Sequence, residues 1–302
     1  MLKIEKTPFL GWPNCVRLSN DHFELIATTD IGPRVLFFGR KGGDNQLAVI
    51  PETAGLTGGD QWRLYGGHRL WNAPEHFPNS YYPDNGPVQL VEDKDFIRLV
   101  QPEETTTHIR KEIEIRLPPS EPKVEILHRL VNCASTPQML SPWAITAYIA
   151  GGIGILPFKL DRDNSAPKPG FIFSAWDYND LADPRLHWHS RCLLVRQEAG
   201  ISRWLKVGLN SSLGVMAYLR ERDLFIKRYP VISGGDYPDN GSTSECWTND
   251  VYLELESLAP LQMVPPGGAA QHTENWSLQE LDSPIHKPDE IVAQVLPLLI
   301  GE

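Results

Sequence analysis

Residues 65–75, YGGHRLWNAPE, combine side chains that suit a polyol-binding or acid–base site. His68 can give or take a proton near neutral pH, Arg69 carries a fixed fork of hydrogen-bond donors, and Trp71 has a flat apolar face. Gly66 and Gly67 can bend the chain and bring its backbone close to a ligand. We interpret the run as part of a sugar site, and the alternative is a plain turn before a core strand.

A second candidate segment is 248–260, TNDVYLELESLAP. Alternation along a strand predicts that Tyr252, Glu254 and Glu256 share one face. If that face lines a cleft, burial and mutual repulsion raise the carboxyl pKa values, which favours a general base near neutral pH. If the face is outward, the two carboxylates are ordinary surface charges.

The pentapeptide YPDNG occurs twice, at residues 82–86 and 237–241. Its Asp-Asn-Gly part favours a turn, because Asn and Gly tolerate positive φ and Asp can bond to nearby backbone groups. One interpretation is two related turns. The other is that two loops meet at one cleft and offer Asp, Asn and Tyr to the hydroxyls of a ligand.

The elements that must position these groups are strands. Period-2 patterns dominate the first 260 residues, and the 26 prolines and 24 glycines leave little room for long helices. Clear strand patterns occupy residues 23–28, 34–39, 106–117, 124–131 and 214–219. Helical spacing is confined to residues 288–299, and the polar, proline-rich segment 161–169 predicts an exposed loop. We therefore predict one all-β domain over residues 1–302 with a short C-terminal helix.

Composition excludes several partners. The net charge of -10 opposes nucleic-acid binding, which depends on neutralising phosphates. The sequence has neither a signal-type apolar start nor the ~18 apolar residues of a spanning helix, so a cytoplasmic protein without membrane contact is expected. No HExxH, Walker-type or dinucleotide motif is present, and we expect no metal and no cofactor.

Five segments in order resemble the galactose mutarotase-like superfamily: TTDIGPRVLFFG, GGHRLW, LVNCASTPQMLSPWAITAY, YLELESLAP and MVPPGGAAQHTENWSL. The similarity spans about residues 21–278 and indicates a branch outside the aldose 1-epimerases proper. It implies a large antiparallel β-supersandwich with a sugar-binding cleft. In the epimerases a late-strand Glu takes the proton of the anomeric hydroxyl, and a His protonates the ring oxygen.

Carried onto this sequence, the resemblance makes either Glu254 or Glu256 the base and leaves the choice open. Arg69 corresponds to an Arg of the epimerases, and His68 corresponds to a His near that Arg. The His-Pro-Tyr-Phe run that supplies the acid is replaced here by residues 141–146, SPWAIT. Either His68 has become the acid, or the chemistry differs, or the protein binds a sugar without turning it over.

The resemblance thus implies an aldose 1-epimerase-type isomerase, with His68 and one of Glu254 and Glu256 as the expected catalytic residues. The alternatives are a non-catalytic carbohydrate-binding protein and a lyase or hydrolase of a uronate polymer. The partner is a small-molecule sugar, and the protein is expected to be a monomer or homodimer. The residues predicted to hold the sugar offer polar groups or flat rings: Arg69, Trp71, Glu75, Asp84, Asn85, Trp143, Lys227 and Asp236.

Overall fold

The structure is a computed structural model that describes residues 2–159 and 170–301, so the predicted loop 161–169 lies outside the described residues. Its first eleven strands are β1 (Lys3–Phe9), β2 (Trp12–Ser19), β3 (Phe23–Thr28), β4 (Arg34–Arg40), β5 (His68–Asn72), β6 (Gln89–Glu92), β7 (Ile97–Val100), β8 (Ile109–Arg116), β9 (Val124–Asn132), β10 (Gln138–Leu140) and β11 (Pro142–Ile149).

The second half of the chain continues the pattern. Its strands are β12 (Ile153–Pro157), β13 (Phe173–Ala175), β14 (Leu186–Trp188), β15 (Cys192–Arg196), β16 (Leu205–Leu209), β17 (Val215–Arg220), β18 (Asp223–Arg228), β19 (Ser244–Thr248), β20 (Tyr252–Leu258), β21 (Gln262–Val264) and β22 (Ala269–Glu280). The helical segments are short: a 3-10 turn at Asn79–Tyr81, then α1 (Pro238–Gly241), α2 (Pro288–Gln294) and α3 (Leu296–Ile300).

The strands form two ten-stranded antiparallel sheets and one short ladder of β10 with β21. The first sheet has the order β1-β2-β3-β4-β5-β11-β20-β19-β16-β13. The second has the order β14-β15-β12-β17-β18-β22-β9-β8-β7-β6. This arrangement confirms the predicted all-β class with large antiparallel sheets.

The main core lies between the inner faces of the two sheets. Phe38 of β4 packs edge-on against Phe225 of β18 with ring centroids 5.1 Å apart, and Tyr148 of β11 stacks on Tyr218 of β17 at 4.6 Å. Removing these faces from water supplies the main driving force for the sandwich. The outer face of the first sheet is left to carry other groups.

The C-terminal segment covers the outer face of the second sheet. Ile291, Val295 and Leu299 belong to a separate apolar cluster with residues of β12 and β17. The single helix predicted over 288–299 is two short helices, because α2 ends before Val295 and α3 starts again with Pro297 in its first turn. Proline has no backbone N–H to continue the earlier helix. Within the described residues, no helix is long and apolar enough to cross a membrane.

Candidate functional site

A cleft of about 360 Å³ lies on the outer face of the first sheet, over β5, β11, β20, β19 and β16. Most of its lining is aromatic. The rings are Trp62, Trp71, Tyr81, Trp143, Trp176, Tyr178, Trp204, Trp247 and Tyr252. The charged groups are Arg69, Glu75, Lys206, Glu254 and Glu256. A concave, mostly apolar site with a few convergent polar groups is the usual form of a small-molecule site.

Strand alternation decides which side chains reach the cleft. On β20, Leu253 and Leu255 enter the main core, whereas Tyr252, Glu254 and Glu256 line the cleft. This is the face predicted for the three residues, and the structure confirms it. The same alternation along β5 sends Arg69 and Trp71 into the cleft and Leu70 into the core.

Arg69 and Glu254 form a buried ion pair in the floor of the cleft. Arg69 Nη1 donates to Glu254 Oε1 at 2.6 Å, and Nη2 lies 3.4 Å from Oε2. Burial by itself would lower the pKa of Arg69, but the neighbouring acidic groups, Glu254 foremost, together outweigh burial and raise this pKa. The guanidinium also lies 4.9 Å from the centre of the Trp71 ring. Arg69 is therefore a fixed cation with its charge matched to Glu254.

Lys206 is at the centre of a second buried cluster of charges, in which its ammonium contacts two carboxylates. Its Nζ lies 3.0 Å from Glu245 Oε2 and donates to Glu256 Oε2 at 3.2 Å. Trp143 Nε1 donates to the same Glu256 oxygen at 2.8 Å. Lys206, Glu245 and Glu256 are each at most 4% exposed, so one buried cation faces two buried acids.

This excess of negative charge shifts proton affinities. Burial raises the pKa of Glu256; Lys206 opposes the shift and the Glu254 carboxylate adds to it. Burial raises the pKa of Glu245 further, with Lys206 opposing and Glu256 adding. Burial would lower the pKa of Lys206, but the two carboxylates outweigh burial and raise it. Lys206 thus keeps its proton, and Glu256 is a cleft carboxyl whose raised pKa favours proton exchange.

Aromatic rings line the same cleft as these charges. Trp62, Trp71 and Tyr81 meet edge-to-face with centroids 5.2–5.7 Å apart. Trp204 is 60% exposed although it lies at the cleft, and its neighbour Tyr178 is 42% exposed. Exposed rings of this size next to buried charges offer flat surfaces to an amphipathic ligand.

His68 is not a cleft residue, which corrects its predicted role as the acid. It precedes Arg69 on β5, so its side chain points to the opposite face and is fully buried between the sheets. One ring nitrogen, Nδ1, lies 2.8 Å from Thr146 Oγ1, and the other, Nε2, lies 2.7 Å from His128 Nε2. His68 therefore cannot reach a ligand that Glu254 or Glu256 contacts.

Lys227 also lies in the interior, which corrects its predicted contact with the sugar. Its Nζ lies 2.7 Å from Glu274 Oε1 and donates to Thr146 Oγ1 at 2.9 Å and to the Leu255 carbonyl at 3.2 Å. Burial lowers the pKa of Lys227, and Glu274 opposes the shift. The ion pair ties β18, β22 and the backbone of β20 together beneath the cleft.

The interior cluster contains a set of possible metal ligands. His68, His128 and Glu274 each offer one ligand atom, and these atoms lie within 4.8 Å of one another. However, the two histidines share a hydrogen bond, and the Glu274 carboxylate accepts from Ser257 and Trp276 as well as pairing with Lys227. The cluster thus satisfies its polar groups with protein partners, and a divalent ion would meet the Lys227 cation.

Three other predicted binding residues lie outside the cleft lining. Asp84 is buried in an ion pair with Arg34 at 2.5 Å. Asn85 accepts from the Tyr65 hydroxyl at 2.9 Å and stabilises the loop beside it. Asp236 is exposed on another loop. The structure places Glu75, Trp71 and Trp143 in the cleft together with Arg69, Glu254 and Glu256.

Sequence reasoning missed Lys206, Trp176, Tyr178 and Trp204. Lys206 could have been recognised from the sequence, because it is the one charged residue in LKVGL, the otherwise apolar strand β16. A lysine there must pair with a buried acid or face a polar site. The three aromatic residues come from short connections beside β13 and β16, and local sequence gives no sign of where such connections pack.

Neither a protein-family model nor a curated protein matches the sequence. Solved structures do match it. A galactose mutarotase-like protein from Clostridium acetobutylicum is 10% identical with a TM-score of 0.55, over 93% of this chain and 99% of that chain. An Escherichia coli K12 protein described as a candidate aldose 1-epimerase is 12% identical with a TM-score of 0.55, over 93% and 100%.

The chain has the galactose mutarotase-like fold. A TPR-domain containing protein from Parabacteroides distasonis also matches, at 13% identity and a TM-score of 0.57. The match covers 90% of this chain and 48% of that protein, so this chain spans about half of the larger one.

Proposed function

We propose that the cleft binds a carbohydrate and that the protein exchanges its anomers, as an aldose 1-epimerase-type isomerase. The observation that carries the proposal is the pair of buried cation–carboxylate groups, Arg69–Glu254 and Lys206–Glu256, in the floor of an aromatic cleft. A sugar needs both an aromatic surface and charged hydrogen-bonding groups, because one face of its ring is apolar and the edge of the ring carries hydroxyls.

Binding follows from complementary contacts. The C–H face of a pyranose can stack on an exposed ring such as Trp204, while its hydroxyls exchange hydrogen bonds with the charged groups. Arg69 and Lys206 already hold their carboxylates in place before a ligand arrives. A site that is organised in advance loses less entropy on binding.

For the chemistry we assign Glu256 as the base. It takes the proton of the anomeric hydroxyl as the bond between C1 and the ring oxygen breaks. The ring oxygen takes a proton from a water molecule in the cleft, and that water regains its proton from the Glu256 carboxyl group. The open-chain aldehyde rotates about its C1–C2 bond, and the same proton transfers in reverse close the ring with the opposite configuration. A raised carboxyl pKa brings a base closer to the working pH, which favours proton exchange. Glu254 is held by two groups of Arg69 and is assigned to hydroxyl binding.

A second candidate is carbohydrate binding without turnover. The observation that favours it is that no histidine is found among the described residues that line the cleft. The raised pKa of Lys206 also makes its ammonium a reluctant proton donor. The similarity to proteins named as mutarotase-like or epimerase-like supports the carbohydrate class at the level of the fold only.

Two-dimensional exchange NMR on D-glucose, D-galactose, D-mannose and D-xylose tests both candidates. We expect wild-type protein to accelerate exchange between the α and β signals of at least one sugar. Glu256→Gln should bind that sugar and lose the acceleration, whereas Glu121→Gln, at an exposed position, should behave as wild type. Saturable binding without acceleration by wild type would select the second candidate. Absence of binding by these aldoses and by their neutral oligosaccharides would refute both.

A further inference from the structure

A wide groove of about 890 Å³ continues from the cleft. Trp62, Glu75, Tyr81 and Trp176 line both spaces and form the wall between them. The groove is more than twice as large as the cleft, whose volume is about 360 Å³. The four shared residues place the two spaces side by side, so a ligand longer than one unit has a second space next to the cleft.

The two YPDNG loops meet at this groove. Tyr82 and Pro83 of the first loop and Asp239 of the second line it together. In the first loop, Asp84 pairs with Arg34 and Asn85 bonds to Tyr65, so the loop is fixed behind its exposed part. The turns of the two YPDNG segments thus place Tyr82 and Asp239 in the lining of the same groove.

The second loop is fixed by its backbone. The Asp239 carbonyl accepts hydrogen bonds from Ser174 Oγ and Ser242 Oγ, each at 2.8 Å. Asp239 and Asn240 both take left-handed angles, with φ of 53° and 62°. These contacts engage the main chain of Asp239, which is half-buried and lines the groove.

The groove also carries an exposed apolar ring. Phe77 is 78% exposed and lies 6.0 Å from Tyr81, measured between ring centroids. Tyr82 and Trp176 line the same groove. Several rings in one groove can each contact the apolar face of a sugar unit, and a large exposed apolar surface often marks a binding site.

Charge narrows the class of ligand. The charged residues in the described lining of the groove are Asp60, Glu75 and Asp239, all of them acids. The two cations of the cleft, Arg69 and Lys206, are already paired with carboxylates. A uronate chain or a phosphorylated sugar would bring further negative charge to this surface, whereas a neutral chain of hydroxyls finds acceptors there.

We propose that the groove binds further units of a neutral oligosaccharide whose terminal unit occupies the cleft. The inference rests on the proposed carbohydrate function and adds the substrate class, an oligosaccharide rather than a free monosaccharide. The sugar in the cleft meets the ion pairs of β5, β16 and β20, and the next units meet Phe77, Tyr82 and the carboxylate of Asp239.

Isothermal titration with matched series tests the inference. The probes are glucose, maltose and maltotriose; glucose, cellobiose and cellotriose; galactose and lactose; and mannose with mannobiose. Wild type should bind the di- or trisaccharide of one series at least about tenfold more tightly than its monosaccharide, which corresponds to about 1.4 kcal/mol. Galacturonic acid should bind more weakly than galactose, and its dimer should bind more weakly than the neutral disaccharides.

Two variants locate the contacts. Phe77→Ala removes an exposed ring of the groove and should weaken oligosaccharide binding about tenfold, with monosaccharide binding unchanged. Trp204→Ala removes an exposed ring found only at the cleft and should weaken both. Met263→Ala, which is 62% exposed and in neither space, should change nothing.

The possible failures are distinguishable. If a monosaccharide binds and no longer chain binds more tightly, the groove inference is overturned and the cleft proposal stands. If Phe77→Ala weakens mono- and oligosaccharide binding equally, the groove is not a separate subsite and the inference is again overturned. If no sugar of any length binds, the proposed function itself is refuted.

Discussion

Replacing Lys206 by methionine tests the charge arrangement in the floor of the cleft. Methionine keeps much of the apolar stem and removes the ammonium that lies 3.0 Å from Glu245 and 3.2 Å from Glu256. Removing one partner of a buried ion pair typically costs ~3–5 kcal/mol, because the other charge stays in the interior uncompensated. Lys206 serves two carboxylates, so we expect a loss of about 5 kcal/mol at pH 8.

The loss should depend on pH. Both carboxyls already have pKa values above their ordinary 4.5, and removing the cation raises these pKa values further. Between pH 4.5 and the folded-state pKa values, the native protein holds more protons than the unfolded chain. Its free energy of unfolding therefore falls as pH rises, by up to ~1.4 kcal/mol per pH unit for each group. Lys206→Met should be least destabilised near pH 5 and most at pH 8.

Urea unfolding followed by tryptophan fluorescence at pH 5, 6.5 and 8 measures this effect. Lys41→Met is the matched control, because Lys41 is exposed in a turn and its replacement should change stability by less than ~0.5 kcal/mol. The unfolding free energy of a domain is usually ~5–15 kcal/mol, so the expected loss is a large part of the total. A loss no greater than that of Lys41→Met, or one independent of pH, would refute the reasoning.

Three further predictions concern the neighbouring charges. Arg69→Met leaves Glu254 buried without its cation, so it should lower the free energy of unfolding by ~3–5 kcal/mol and weaken sugar binding. Thermal unfolding measures the first effect and calorimetric titration the second. Unchanged sugar affinity would contradict the assigned role of Arg69. Burial lowers the pKa of His272 to about 3, so between pH 6.5 and this value the histidine is protonated in the unfolded chain but not in the native protein. The free energy of unfolding therefore falls as pH drops below 6.5. In His272→Gln this fall should be shallower by up to ~1.4 kcal/mol per pH unit, and an identical slope in urea unfolding would contradict the shift. His68→Gln should cost ~1–3 kcal/mol through lost hydrogen bonds but leave anomer exchange by the folded variant unchanged, and a folded variant without exchange would contradict the conclusion that His68 takes no part in the reaction.

Strand positions could be predicted where alternation was clear. The segment predicted at residues 23–28 is β3 with the same bounds, and 34–39 is β4 within one residue. The shared face of Glu254 and Glu256 also follows from period 2 alone and is correct. These features depend on neighbouring residues only, so a local pattern contains them.

The prediction for His68 does not match the structure because it places the adjacent residues His68 and Arg69 in one site without applying strand alternation to them. These residues instead form a strand, so His68 and Arg69 point to opposite faces of the first sheet. Strand alternation applied to GGHRLW separates the two side chains, and the sequence therefore contains the information that the prediction lacked.

Other site residues depend on long-range packing. Trp176 and Trp204 reach the cleft from connections that no periodicity describes. The repeated YPDNG loops do meet at one groove, but Asp84 and Asn85 of the first copy are used to fix the loop. A five-residue repeat indicates turn geometry, and only the three-dimensional fold shows which of its side chains remain free for a ligand.

The most direct test of carbohydrate binding in the cleft uses the indole N–H signals in ¹⁵N–¹H TROSY spectra. Trp143 Nε1 donates to Glu256 in the floor of the cleft, whereas Trp12 and Trp276 are fully buried elsewhere. During titration with aldoses and their neutral oligosaccharides, the Trp143 signal should shift saturably and those of Trp12 and Trp276 should stay in place. A Trp143 signal that never moves, or shifts of equal size in all three, would contradict a carbohydrate site in this cleft.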